Sequence, residues 1–348
     1  MSALDQPLLI ANSNYHVGHE ITVRVAEAMG FFREEGLASY VYRNGGVIPG
    51  PFESRGLALA IKEQGLDVVT AVNAESAVFQ CSKGAELRIV GGWRYESTPD
   101  LKWYAAKHIT ELRQLRGAKI GVREMGSLTH ISMSNALRTA GLDPERDVEW
   151  LLHPAFAYRN NPAHLDMLRS GKVDVMTSAP PLSDRLDAEG YPVILDPKRS
   201  FPRGRPGKVI VATARTIEHR GKELRAFLRG IIRAFWHKRD VANFESIRKL
   251  ESELRRASHN EDERGMAIVT GPEKIEGWPL PIDGGVPREA LEAVIGEMAA
   301  AGEIDNAIPV DNVLVDGPVT EAFREVSGRP ELGQALDRAR AAAKKYGF

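Results

Sequence analysis

Imidazole is the side chain best able to exchange a proton near neutral pH. Three of the nine histidines, His16, His130 and His153, fall where short apolar runs give way to polar loops. A random scatter would place some there, but together with Tyr15 they form the candidate acid–base set. Polar residues suited to holding an anion surround them: Asn12, Ser13 and Asn14 after the first run, Asn73 and Glu75 after a later one, and Trp93, Arg94 and Tyr95 beyond Gly91-Gly92. Further along stand the turn residues Gly126, Ser127 and Thr129, and finally Ser178. Where such loops open a helix, free N–H groups and the helix dipole favour negative charge. Glu75 equally suits a first-turn acid that complements the dipole. His16-Val-Gly-His19-Glu20 offers His16 and His19 as weak candidates for a divalent metal, although it lacks the Glu and Gly context of protease metal helices.

Strands alternating with helices must position these groups. Leu8–Asn12 reads as a strand and Glu20–Glu35 as a helix stopped by Gly36. Ala38–Tyr42 is a strand followed by the Gly-rich turn at Arg43-Asn-Gly-Gly46, then come helix Leu57–Gln64, strand Asp67–Val72, a helix from Glu75 and strand Leu87–Gly91. A second series follows: strand Trp103–Ala106, helix Ile109–Leu115, strand Lys119–Val122, helix Thr129–Ala140, strand Val148–Leu152 and helix Pro162–Gly171. Strand Val173–Ser178, helix Leu182–Glu189 and strand Tyr191–Leu195 complete it. Lys208–Ala212 returns the chain to helices Lys222–Arg239 and Arg288–Ala301, and the alternating charges of Arg248–Arg264 read as a solvated helical face. The pattern predicts an α/β fold with mixed, mostly parallel sheets.

Length and composition narrow the partners. At 348 residues and 43% hydrophobic, two lobes are expected. With 46 Lys+Arg against 47 Asp+Glu, nothing points to nucleic acid, and no apolar stretch approaches the ~20 residues of a membrane span. One cysteine, Cys81, forms no internal disulfide and reads as a small core residue. The first residues lack a basic and apolar leader, so the sequence predicts a cytoplasmic protein, or a periplasmic one if this is a mature form. The oligomeric state stays open.

Several segments, taken in order, resemble one family group. They are Ala26-Glu-Ala-Met-Gly-Phe-Phe-Arg-Glu-Glu-Gly-Leu37, Leu115-Arg-Gly-Ala-Lys-Ile-Gly-Val122, Ala136-Leu-Arg-Thr-Ala-Gly-Leu-Asp-Pro144 and Leu168-Arg-Ser-Gly-Lys-Val-Asp-Val175. Pro287-Arg-Glu-Ala-Leu-Glu-Ala-Val-Ile295 and Ile308-Pro-Val-Asp-Asn312 add to them. The order is similar to the type II periplasmic-binding-protein fold, in the group of nitrate, taurine and alkanesulfonate binders and thiamine-pyrimidine-synthase-like proteins. The resemblance implies a bilobed molecule with lobe I at residues 1–100 and 210–348, the latter including C-terminal helices, lobe II at 101–209, and a ligand cleft between the lobes.

Within that group a biphenyl sulfinate desulfinase uses a cysteine after its first strand, where this chain has Ser13-Asn14-Tyr15-His16. The pyrimidine-synthesising relatives carry a cysteine-rich iron motif that one cysteine cannot supply. Aromatic-acid decarboxylases also belong to that group, and with the absent leader and a His-, Tyr- and Asn-lined cleft the resemblance implies a cytoplasmic, cofactor-free lyase of decarboxylase type acting on a small aromatic carboxylate, with Phe156 among its aromatic walls and the histidines as acid and base. The alternative is the substrate-binding protein of an ABC-type importer for a small organic anion, with the importer permease as partner.

Overall fold

The computed structural model describes residues 6–13, 17–43, 53–95, 102–122, 125, 127–153, 156, 163–178, 182–195, 205–257 and 280–345. The contacts divide the chain into two units, one of residues 1–95, 206–292 and 308–348, the other of residues 96–205 and 293–307. The sequence assigns all of 210–348 to the first lobe, whereas 293–307 packs with the second unit.

In the first unit, β1 (Leu8–Asn12), β2 (Tyr40–Arg43), β3 (Val68–Asn73), β4 (Leu87–Tyr95) and β10 (Pro206–Thr213) form a sheet in the order β2-β1-β3-β10-β4. β1 pairs parallel with β2 and β3, and β10 is antiparallel to both β3 and β4. Every residue of β10 except the last is buried, which is why it reads as a continuous apolar run rather than an alternating one. β4 extends four residues beyond the expected Gly91, because β10 pairs with it as far as Tyr95.

The helices of this unit are α1 (Val17–Ala28), α2 (Phe31–Glu34), α3 (Glu53–Gln64) and α4 (Ala74–Ser82). After the second unit's elements come α8 (Ala214–His219), α9 (Gly221–Arg239), α10 (Phe244–Ala257), α12 (Gly317–Ser327) and α13 (Gly333–Lys345). The single helix expected over Glu20–Glu35 is broken at Gly30, whose φ of 71° leaves the helical region and turns α2 onto α9. There Phe32 stacks on Phe227 at 5.5 Å. The α2 end is locked by Glu35, whose fully buried carboxylate accepts from Arg229, Arg233 and Arg329. Burial alone would raise its pKa, but the three guanidiniums overcome this and hold the carboxyl below its usual range.

The run read as a solvated helix, Arg248 onward, is corrected in its first half. α10 buries Ile247, Glu251 and Arg255, one per turn, against the first unit. Glu251 and Arg255 tolerate that burial because they pair at 2.6 Å.

The second unit has the sheet β7 (Glu149–Leu152), β6 (Lys119–Val122), β8 (Val175–Ser178), β5 (Lys102–Ala105) and β9 (Val193–Leu195), in that order. β6 is parallel to β7 and β8, while β5 runs antiparallel to β8 and β9. α5 (Leu128–Thr139), α6 (Ala163–Arg169) and α7 (Leu182–Ala188) cover it. The helix expected at Ile109–Leu115 is a 3-10 turn over Leu112–Leu115. α11 (Arg288–Ala300) begins in the first unit and ends in the second.

Gly91-Gly92 lets another backbone approach β4. Gly92 N–H donates to Gly284 O at 2.7 Å, and a Cβ on Gly92 would drive into Gly285 O. Gly92→Ala should therefore cost about 1–3 kcal/mol, whereas Gly296→Ala, inside α11 with open space around it, should gain about 0.5–1 kcal/mol. Urea unfolding of the two variants measures both, and equal effects would contradict this reading.

Candidate functional site

The carboxyl ends of parallel strands are where open α/β sheets present side chains to a ligand. In the first unit β1 ends at Asn12 and Ser13, both fully buried; Thr70 donates to Asn12 Oδ1 at 3.3 Å, and Ser13 Oγ donates to Ala71 O at 2.7 Å. Ala71 has a φ of 57°, a left-handed conformation that a side chain makes unfavourable. β3 ends at Asn73, which starts α4, and Glu75 is buried in the first turn of that helix.

A residue not singled out in the sequence completes this end. Lys208, near the start of the antiparallel β10, stands opposite Asn73 on one side and Arg94 on the other. The ladder shifts register on both sides of Lys208 in its pairing with β4, and such bulges re-aim side chains. Because β10 is antiparallel, its amino end meets the carboxyl ends of β3 and β4, which places two cations and an amide on three adjacent strands. Arg94 Nε is buried and has no hydrogen-bond partner. The signal in the sequence was the lone lysine opening an otherwise apolar strand.

More charge stands at the two ends of α9. Arg220, at the start of α9, donates to Asp67 at 2.9 Å and to Gln6 O at 2.8 Å, beside the amino ends of β3 and β1. Nineteen residues of helix, roughly 28 Å, carry the last turn of α9 to the opposite end. There Lys238 Nζ donates to Thr22 Oγ1 of α1 at 2.7 Å, and Arg239 donates to Leu280 O at 2.8 Å. Burial pushes the Lys238 ammonium down to about 7; Glu251 opposes the shift, and Arg94 and Arg239 add to it.

Trp93, expected as a ligand wall, is corrected to a core residue. It is 2% exposed and meets Phe235 edge-on at 5.8 Å, because β4 continues past it and turns its ring into the helix layer. Tyr95 ends the strand. His19 lies buried within the first turns of α1. Cys81 donates to Leu87 O at 3.3 Å, and burial pushes its thiol up to about 11, which suits an inert small residue. Asn14, Tyr15, His16 and Gly126 lie outside the described residues.

In the second unit, Ser127 caps α5 by accepting from His130 N–H at 3.4 Å and lies 3.1 Å from the Thr129 hydroxyl. Ser178 is fully buried at the end of β8. His130 is 6% exposed, with Nδ1 at 3.2 Å from Glu303 and Nε2 at 3.4 Å from Ser134 Oγ, and its ring meets Trp150 edge-on at 4.7 Å. Both ring nitrogens are thus engaged, and His130 works as a strut fastening residues 293–307 to α5, beside the Arg138 to Ala301 O and Arg205 to Glu297 contacts. His153 is exposed at the end of β7, 6.1 Å from the buried Phe156 ring. Among the described residues no three His, Cys, Asp or Glu side chains form a metal-holding group, and no helix is long and apolar enough to cross a membrane.

The model of the NMT1-like family matches residues 55–250 of the 348. The chain belongs to the NMT1-like family. Comparison with curated protein sequences gave no match. Among solved structures, this NMT1-like chain is similar to a putative sulfonate ABC transporter protein, the periplasmic sulfonate-binding protein SsuA of Methylobacillus flagellatus KT (TM-score 0.63, 16% identity, 94% of this chain and 97% of that one). It is also similar to the periplasmic aliphatic sulphonate binding protein SsuA of Escherichia coli (0.60, 16%, 89% and 92%). A third is the desulfurization enzyme DSZB (0.58, 12%, 92% and 99%). At these identities the likeness shows the two-lobed α/β binding-protein fold alone.

A core role for Trp93 has a measurable consequence. Trp93→Ala should lower stability by about 3–5 kcal/mol in urea, while Trp93→Phe should keep most of it. Full stability in Trp93→Ala would return Trp93 to the ligand surface.

Proposed function

We propose that this NMT1-like protein binds a small organic anion as the substrate-binding component of an ABC-type importer. The observation that carries this reading is the row Asn73, Lys208 and Arg94 across three adjacent strand ends, with a buried Arg94 N–H that has no protein partner. A buried donor left unsatisfied costs about 1–3 kcal/mol, and a carboxylate or sulfonate oxygen would satisfy it. A guanidinium, an ammonium and an amide together suit a planar or tetrahedral oxyanion. The sulfonate-binding proteins with the same fold lend support, and among the two anion classes the sulfonate is preferred on that ground. An importer component would work outside the cytoplasm, which replaces the cytoplasmic expectation within this proposal.

The lyase expected from the sequence has less to stand on. Its proton donor was to come from the histidines, and His130 is engaged on both nitrogens by Glu303 and Ser134. His153 alone among the described candidates is exposed.

Calorimetry with ethanesulfonate, benzenesulfonate, benzoate and hydroxylated benzoates, followed by mass analysis of each mixture, tests the proposal. Saturable binding of a sulfonate with no product is expected. Arg94→Gln and Lys208→Gln should each weaken it about 10-fold to 100-fold, the worth of a charged hydrogen bond, with the unfolding transition retained. Conversion of any carboxylate to its decarboxylated product would overturn the binding reading in favour of the lyase.

A further inference from the structure

We infer that Ser13 is a positioning residue for the anion site: by holding Ala71 in a left-handed bulge, it sets Asn73 rather than Val72 opposite Lys208. This rests on the anion-binding reading of Asn73, Lys208 and Arg94 above and adds the group that fixes their register.

β3 and β10 pair in one register at Val68–Ala212 and Val69–Val211, and in another at Val72–Val209 and Asn73–Lys208. Two residues of β3, Thr70 and Ala71, therefore lie against the single residue Ile210 of β10, which makes the irregularity a bulge in β3. Had the first register run on, Lys208 would stand opposite Val72, and Asn73 would stand opposite Gly207. A slip of one residue also exchanges the faces of the side chains that follow. The amide beside Lys208 is thus a product of the bulge, and a valine in its place would have no group for an oxyanion.

Such a bulge has to be held. Ala71 takes a φ of 57°, a region that a Cβ disfavours and that bulges often give to glycine. The grip comes from the end of β1. Ser13 is fully buried and engages both bulge residues: its N–H donates to Thr70 O at 3.0 Å, and its Oγ donates to Ala71 O at 2.7 Å. Thr70 returns the contact, its hydroxyl lying 3.3 Å from Ala11 O and 3.3 Å from Asn12 Oδ1. A bulge residue drops out of the regular ladder, so the Ser13 hydroxyl serves a buried carbonyl at the point where the strand changes register. Only Val72 separates Ala71 from Asn73, and the Ala71 dihedrals therefore aim the strand end directly.

Calorimetry with ethanesulfonate and unfolding in urea, on wild type, Ser13→Ala, Ala71→Gly and the double variant, test this role. Glycine accepts the left-handed conformation without help, so Ala71→Gly should raise the urea midpoint. Ser13→Ala should lower the midpoint and weaken binding about tenfold, the worth of one buried hydrogen bond. Adding Ala71→Gly should return most of the lost affinity although the hydroxyl is still missing. Ile247→Val, a buried change in α10, should lower the midpoint and leave affinity alone, which separates positioning from general loosening. Should Ser13→Ala fail to fold, Ser13→Cys keeps the shape with a weaker donor; it should bind less tightly than wild type and be rescued in the same way. Wild-type affinity in the folded Ser13 variant, or a loss that Ala71→Gly does not repair, overturns the positioning role. No binding by any of these proteins overturns the anion site and the positioning role with it; a Ser13→Ala cost that shrinks in the Ala71→Gly background would then still show that Ser13 holds the bulge.

Discussion

The first unit depends on one strand. β10 returns from a stretch of chain more than a hundred residues beyond β4 and inserts, reversed, between β3 and β4. Its burial on nearly every residue supplies the centre of the sheet, and its reversal is what brings an amino end, and Lys208 with it, to the carboxyl ends of its neighbours. A parallel insertion would have put that lysine at the far end, away from Asn73 and Arg94. The same pairing lengthens β4 and so moves Trp93 into the core and Arg94 to the sheet end.

Charge is then distributed by helix length. α9 starts on the Asp67 and Arg220 pair at one end of the sheet and finishes with Lys238 and Arg239 at the other. A helix C-terminus favours cations, which offsets part of the cost of burying them. The two ends of this unit thus differ in chemistry: one is stapled by a closed ion pair, the other gathers cations around a partly polar edge. The anion site proposed above lies at the second end.

In the second unit the polar groups mostly serve the fold. Ser127 caps α5, and His130, Glu303 and Ser134 make a buried chain that ties residues 293–307 into place. A histidine at a helix start is the same letter whether it faces a ligand or a neighbouring segment, and here the carboxylate that engages it comes from 173 positions away in the chain.

The sequence by itself determined much of the architecture. Apolar runs and helical periodicity located most strands and helices to within a few residues, because burial of alternate or continuous apolar residues is a local property of the chain; Leu8–Asn12 and Lys119–Val122 came out with matching ends. The order of the segments pointed to the binding-protein fold, and Asn12, Ser13 and Asn73 fell at the strand ends where they were expected. What only the tertiary structure decided was which side chains share an environment. The reach of β4, the core position of Trp93, the buried face of α10, the strut made by His130 and the company of Lys208 and Lys238 all follow from pairings between distant segments. Those pairings set burial and local charge, and burial and charge, rather than residue type, decide whether a lysine or a histidine binds, titrates or merely braces.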